Sequence, residues 1–331
     1  MLTIAADSGA IYPSSILQPT PIFDSGRFFS TGQDPLPKDV VEMLCRMFDR
    51  EGLTLVPALS LSGPIPRLES QIRASGGEGV RPVDFRGESA LQANDGPVYS
   101  ALNADVQQAV VDVIEEVTNR YSHHNCFKGI SLICRPKTYT QLGGRRWGYD
   151  SPTVTRYLND SGGVQLVAGV SDDWTQVQSL LLGSNYKQWF EWRAGIMGAW
   201  YNRIHQTVTK GDPSRRLYLA PIDIYRHPDI VSSLSPSLHW SNQFEEAMLE
   251  MGWAPNLWPE NPSVVMLKPH RIDHNSSLAA NKIEYQTRHS KKENEFYQSQ
   301  TITGELFLHH TFWSEFLERD EPELDLSLIH I

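Results

Sequence analysis

An α/β fold with a parallel sheet is what this sequence predicts, on three observations. Strand-sized apolar runs recur along its 331 residues, amphipathic helical patterns separate them, and several runs end in clusters of aromatic and charged residues. In a parallel barrel the functional groups gather where the strands end, so this cadence points to an active face at the strand C-termini.

Leu2-Thr3-Ile4-Ala5-Ala6 reads as a first core strand. Over residues 39–50, Val40, Met43, Leu44, Met47 and Phe48 recur at helical spacing, with Gly52 placed as a C-terminal cap. The run from Leu53 to Leu59 is the next strand. Val106, Ala109, Val110, Val113, Ile114 and Val117 then form one unbroken apolar stripe ahead of the strand Gly129 to Cys134. A long helix over 186–208 turns Trp189, Trp192, Ile196, Trp200 and Ile204 inward and leads to a strand from Leu217 to Ile222. Phe244, Ala247, Met248 and Met251, capped by Gly252, precede Val264-Val265-Met266-Leu267. Gly304 to Leu308 reads as a last strand, and residues 164–170 fit either strand or loop. Six or seven strands are thus legible, the pattern of a (β/α)8 TIM-barrel-like fold incomplete at one or both ends.

A single domain over 1–320 is expected, with long strand-exit loops at 60–99, 137–164 and 269–299 that exceed ordinary connectors. Such loops build the active face of a barrel; for residues 76–95 a partly disordered insertion is an equal expectation. Residues 321–331 read as a non-native or disordered tail. Leu326-Ser327-Leu328-Ile329-His330-Ile331 has the form of a read-through sequencing adapter, so a truncated fragment is expected.

Composition excludes several classes. No apolar stretch approaches the roughly 20 residues of a membrane span. The formal charge is −10, from 29 basic and 39 acidic residues, and the basic residues are scattered, which argues against a nucleic-acid partner. Of the three cysteines, Cys126 and Cys134 flank a strand and fall ~26 Å apart, too far to pair, while Cys45 reads as a small buried hydrophobe. No Walker loop, dinucleotide fingerprint or nucleophile elbow is present, and no cofactor is expected.

Metal chemistry is not expected either. His270 and His274 are four apart, a spacing that converges only on a helix, and Pro269 argues against a helix there. His123-His124 and His309-His310 are adjacent pairs whose side chains diverge in a helix or a strand.

Several stretches in order carry a resemblance: the first strand followed by Ala10-Ile11-Tyr12-Pro13-Ser14; the helix and Gly52-Leu53-Thr54-Leu55-Val56-Pro57; Asn103-Ala104-Asp105-Val106 leading to Arg120-Tyr121 and Gly129-Ile130; and Trp192-Arg193 ahead of the Leu217 to Tyr225 segment. Together they resemble the glycoside-hydrolase-like TIM barrels known as family-10-like glycosyl hydrolases, found in many bacterial envelope and secreted proteins. The resemblance spans most of the chain and implies a carbohydrate ligand and a secreted or envelope location. Hydrolases of this type usually finish the strand matching Gly129 to Cys134 with catalytic aspartates; here it finishes Ile133-Cys134-Arg135-Pro136.

Glycosidic cleavage needs two carboxylates flanking the scissile bond. Strand ends offer Asp7, Asp223 and Asp273, with Glu69, Asp150 and Asp173 further along their loops and Glu305 inside a strand. Asp223, beside Tyr225 and Arg226, is the first candidate and Asp7 the second; the plain alternative for each is a carboxylate that caps a helix or pairs with an arginine. Aromatic rings suit sugar C–H faces, and Tyr12, Tyr139, Trp147, Tyr149 and Tyr225 follow strands or lie in exit loops, with Arg135 and Arg226 as polar partners. Around Trp147 the glycines of Gly143-Gly144-Arg145-Arg146-Trp147-Gly148 either let backbone approach a ligand or simply anchor the loop. Arg193, on or beside the inward stripe of its helix, must find a carboxylate or carbonyl if buried, and a salt bridge is expected. Two expectations follow: a glycoside hydrolase acting on a polysaccharide, or a non-catalytic carbohydrate-binding barrel that has lost its acids. The sequence leaves the sugar and the oligomeric state open.

Overall fold

A computed structural model describes residues 1–7, 9–19, 39–90, 96–161, 174–221, 243–261 and 263–267. In chain order the elements are β1 (Leu2–Asp7), β2 (Gly9–Ala10), β3 (Gln18–Pro19), α1 (Val40–Glu51), β4 (Pro57–Leu61), α2 (Pro66–Ser75), α3 (Ala104–Tyr121) and β5 (Gly129–Cys134). They continue with α4 (Ser151–Asp160), α5 (Trp174–Ser179), a π-helical turn (Leu180–Ser184), α6 (Tyr186–Val208), β6 (Arg216–Pro221), α7 (Gln243–Glu250) and β7 (Val264–Met266).

The seven strands form one sheet in the order β3-β2-β1-β4-β5-β6-β7. From β1 onward the pairs are parallel, whereas β2 is antiparallel to β1 and β3 is parallel to β2, so both run against the rest. Among the described residues the parallel strands are neighbours in chain order, without the reversal that marks a doubly wound sheet. Among the described residues the outer edges of β3 and β7 meet no further strand, so the fold established is α/β with a mostly parallel sheet. Among them, too, no helix is long and apolar enough to cross a membrane.

Local chemistry fixes the ends of the elements. Asp39 caps α1 by accepting from the Glu42 N–H, and Gly52 closes it at φ 66°. Asn103 caps α3 through the amides of Asp105 and Val106, and its apolar stripe, Val106, Val110, Val113, Ile114 and Val117, is completely buried. Each such side chain contributes about 1.5–3 kcal/mol relative to an exposed position. Gly129, opening β5 at φ 144°, is required by crowding: a Cβ there would stand 2.0 Å from the Arg216 carbonyl oxygen.

All six residues of β5 are buried, so both sheet faces are covered. Ile130, Leu132, Leu217, Leu219 and Met266 join the main core with the helices, while Val56, Tyr218, Ala220, Val265 and Leu267 form a separate cluster, as the period-2 alternation of a strand requires.

Three expectations need correction. The second strand starts at Pro57, not Leu53; Leu53 is exposed just past the α1 cap, and Leu55 makes only an isolated bridge to Phe127. The loops at 60–99 and 137–164 contain α2 and α4, each with a proline in its first turn, short helices whose apolar spacing was too sparse to register. The inward face of α6 is rotated: Phe190, Arg193, Met197 and Tyr201 are buried with Trp189, Trp200 and Ile204, while Trp192 and Ile196 are half-buried. The cysteines are as expected: all three are free and buried, Cys45 as a core hydrophobe, with Cys126 Sγ 3.5 Å from the Cys45 carbonyl. The segments 164–170 and 304–308 lie outside the described residues.

Candidate functional site

The C-terminal edge of the parallel sheet is the place to look, and the register defines what stands there. Asp7 pairs with Leu61, β4 pairs with β5 at Ala58–Ser131 and Leu59–Leu132, a register that carried on by two residues brings Leu61 level with Cys134, and Cys134 pairs with Pro221. Asp7 and Arg135 therefore leave the same edge, two strand spacings or about 10 Å apart along the sheet. Asp223, two residues past Pro221, lies outside the described residues, as do Tyr225, Arg226, Asp173, Asp273 and Glu305.

Asp7 is exposed and, among the described residues, is the one non-glycine residue with positive φ, at 52°. That left-handed conformation is unfavourable for a residue with a Cβ, and such outliers cluster at functional positions. Its carboxylate accepts a 2.6 Å hydrogen bond from the Ser62 hydroxyl, just beyond β4, and its carbonyl accepts from the Ser62 N–H at 3.4 Å. Asp7 thus neither caps a helix nor pairs with an arginine among its described contacts. Ser62 was missed from sequence, although a Ser-Gly-Pro run directly after a strand signals a polar turn at that edge.

Arg135 is half-buried at the end of β5. Its N–H donates to Thr138 Oγ1 at 2.9 Å, and the Thr138 hydroxyl donates back to the Arg135 carbonyl at 2.9 Å, closing a tight turn. The following residues fold onto the sheet: the Tyr139 N–H donates to the Leu61 carbonyl and the Thr140 hydroxyl to that of Ile133. A floor of buried polar groups, Thr138, Thr140 and Gln141, lies beneath the edge.

The four aromatic candidates among the described residues, Tyr12, Tyr139, Trp147 and Tyr149, are buried rather than presented to solvent. Tyr139 is fully buried, donating its hydroxyl to the Gly63 carbonyl and packing edge-on against Tyr99 at 5.0 Å. Tyr149 is equally buried, with its hydroxyl on the Arg145 carbonyl and its ring 5.8 Å from that of Trp189. Trp147 is 5% exposed, and Gly143 makes room for its indole, since a Cβ there would meet the ring at 2.7 Å. Loop anchoring accounts for Gly143. Tyr12 is buried towards the opposite edge, against Tyr121 at the end of α3, and donates to Glu116. The physical reason is common to the three tyrosines: a polar tip lets the ring satisfy one bond inside a core, so sequence position alone does not separate core from cleft.

The two exit loops pair with each other. The Val83 carbonyl accepts from the Gly148 and Tyr149 amides, and Asp84 bridges to Trp147. Asp84, fully buried, accepts from the Arg86 and Glu88 amides and from Arg146 Nε at 3.3 Å. Arg193, also fully buried, donates to the Gly144 carbonyl at 3.0 Å and lies over Phe190 and Trp189. Asp150 caps α4 by accepting from the Thr153 N–H at 3.0 Å and is 2% exposed. Burial raises its carboxyl to about 6, against smaller opposing pulls from its hydrogen bonds to Thr153 and, least, from the Arg193 guanidinium. Glu69, on α2, accepts two bonds from Arg81 and one from the Tyr99 hydroxyl. Both loop acids are therefore structural in their described bonds, and Asp7 is the described strand-end acid that faces solvent.

The chain matches no protein-family model and no curated protein. The class defined by its own coordinates is an α/β protein with a mostly parallel sheet and an exposed acid at the sheet's C-terminal edge.

Proposed function

We propose that this chain is a carbohydrate-active protein of the glycoside-hydrolase-like kind, in which the sheet closes as a TIM-type barrel and a polysaccharide binds across its C-terminal edge. The observation that carries the reading is Asp7: an exposed carboxylate at a parallel-strand end, held in the left-handed region and oriented by the Ser62 hydroxyl. Functional groups of parallel α/β folds occupy this edge. Asp7 would act as nucleophile or base, and Asp223, the residue sequence reading favours, would be the partner acid that two-carboxylate hydrolysis needs.

Arg135 favours a second reading, because the β5 end presents a guanidinium where a hydrolase of this kind would place an acid, and guanidinium suits binding of hydroxyls or carboxylates. That reading is a barrel that binds glycans without cleaving them. Incubating the chain, Asp7→Asn and Asp223→Asn with a panel of soluble polysaccharides separates the two. Reducing ends released by the parent chain, and at least 100-fold slower release by either variant, support hydrolysis. Saturable glycan binding without release supports the binder, and neither binding nor release across the panel sinks both.

A further inference from the structure

At the opposite, N-terminal edge of the sheet lies a cluster that the proposed function does not use. Glu42 on α1, and His123 and His124 in the turn after α3, each bring one potential ligand atom to within 4.8 Å of the others. Adjacent histidines diverge in a helix or a strand, but this pair follows the C-cap Ser122, where the chain turns, and the two rings face each other at 4.1 Å. The expectation of divergence is thereby corrected.

The surroundings of His124 supply a second, independent observation. Its Nδ1 is 2.7 Å from Asp49 Oδ2, and its Nε2 is 2.9 Å from Glu42 Oε2. Asp49 is itself fixed, since its Oδ1 accepts from the Cys126 N–H at 2.7 Å. A carboxylate on one ring nitrogen, leaving the other aimed at a second ligand, is how metal-binding histidines are oriented. Arg46 occupies Glu42 Oε1 at 2.7 Å, so Oε2 is the oxygen turned to the site. His124 has a side chain 8% exposed, whereas His123 lies open to solvent. That combination gives a pre-positioned half, an exposed third ligand and an open side for water.

We propose that Glu42, His123 and His124 form a three-ligand site for Zn²⁺ or a similar borderline divalent cation, with Asp49 as the positioning carboxylate behind His124. Two imidazoles and one carboxylate suit zinc and disfavour magnesium or calcium, which take oxygen ligands. Tetrahedral bonds of about 2.0–2.1 Å hold ligand atoms roughly 3.3–3.4 Å apart, so atoms now within 4.8 Å must close by up to about 1.5 Å, a swing open to the exposed His123 ring. The ion would tie α1 to the turn ahead of β5, far from the Asp7 edge, and so act on stability.

The test is zinc titration of the chelator-stripped full chain at pH 7.5 by calorimetry, with melting temperature read in parallel. One equivalent should bind and raise the melting temperature. His123→Ala, at an exposed position that leaves the fold intact, should weaken binding at least 10-fold and remove the thermal shift; Glu42→Gln should do the same, and Asp49→Asn should weaken binding about 10–100-fold. The competing arrangement is an imidazolium clamped between Asp49 and Glu42 without metal. Absence of saturable zinc uptake, or uptake equal in the parent, His123→Ala and Glu42→Gln, establishes that arrangement and overturns the site. A thiolate charge-transfer band with Co²⁺ would also overturn the donor set, because it would place Cys45 or Cys126 on the metal.

Discussion

Asp7 and Asp150 are both aspartates reached from the exit of a parallel strand, yet they live in opposite environments. Asp7 stands in solvent with a single serine donor and an unfavourable backbone angle. Asp150 is buried, caps a helix and lies near a buried guanidinium. The difference teaches that a strand-exit carboxylate is not informative by itself. What sets Asp7 apart from the helix-capping Asp150 is its exposure and its left-handed backbone, the features that make it the candidate for chemistry.

The contrast can be broken first at the buried end. Arg193→Ala removes a fully buried guanidinium that holds the Gly144 carbonyl and packs on two rings, and should destabilise the chain by about 3–5 kcal/mol in urea unfolding. A loss under 1 kcal/mol would mean that the exit loops are not anchored as described.

A pH series on Asp150→Asn sharpens the comparison next. The folded carboxyl is raised to about 6 from an ordinary 3.8, so between these values the folded state holds the proton more tightly than the unfolded one. Its contribution to stability is then fully present below about pH 3.8 and lost as pH rises through about 6, a fall of up to roughly 3 kcal/mol. Asn keeps the capping oxygen and cannot titrate, so the difference in stability between parent and variant should shift across pH 4 to 7 in the variant's favour. A pH-independent difference would count against the buried, near-neutral acid.

Asp7→Gly is the smallest in energy and the most telling about function. Glycine adopts the left-handed angle freely, so stability should rise by about 1 kcal/mol while glycan turnover or binding falls. Thermal unfolding and the polysaccharide assay read the two effects together, and a variant that is both more stable and fully active would remove Asp7 from the site.

Much of the scaffold was legible because it obeys local rules. The unbroken apolar stripe of α3, the glycine caps of α1 and α7, and the apolar runs of β5 and β6 follow from periodicity and capping alone. Pro57 shifted the second strand because a residue without an N–H is readily accommodated at a strand's first position. The helices α2 and α4 escaped notice because ten residues carry little periodic signal. Asp7 was legible as a strand-end acid, but Ser62 beside it was not, since that contact joins residues 55 positions apart.

The order of strands and helices, the acidic surface charge and the placement of Asp7 and Arg135 at strand ends were determined by the sequence itself, because they depend on neighbours along the chain. Only tertiary structure decided that Tyr139, Trp147 and Tyr149 are buried, that Asp150 is a cap, and that His123 and His124 face one another over Glu42. Burial and convergence depend on which segments pack together, and that information is carried by long-range contacts that no local pattern records.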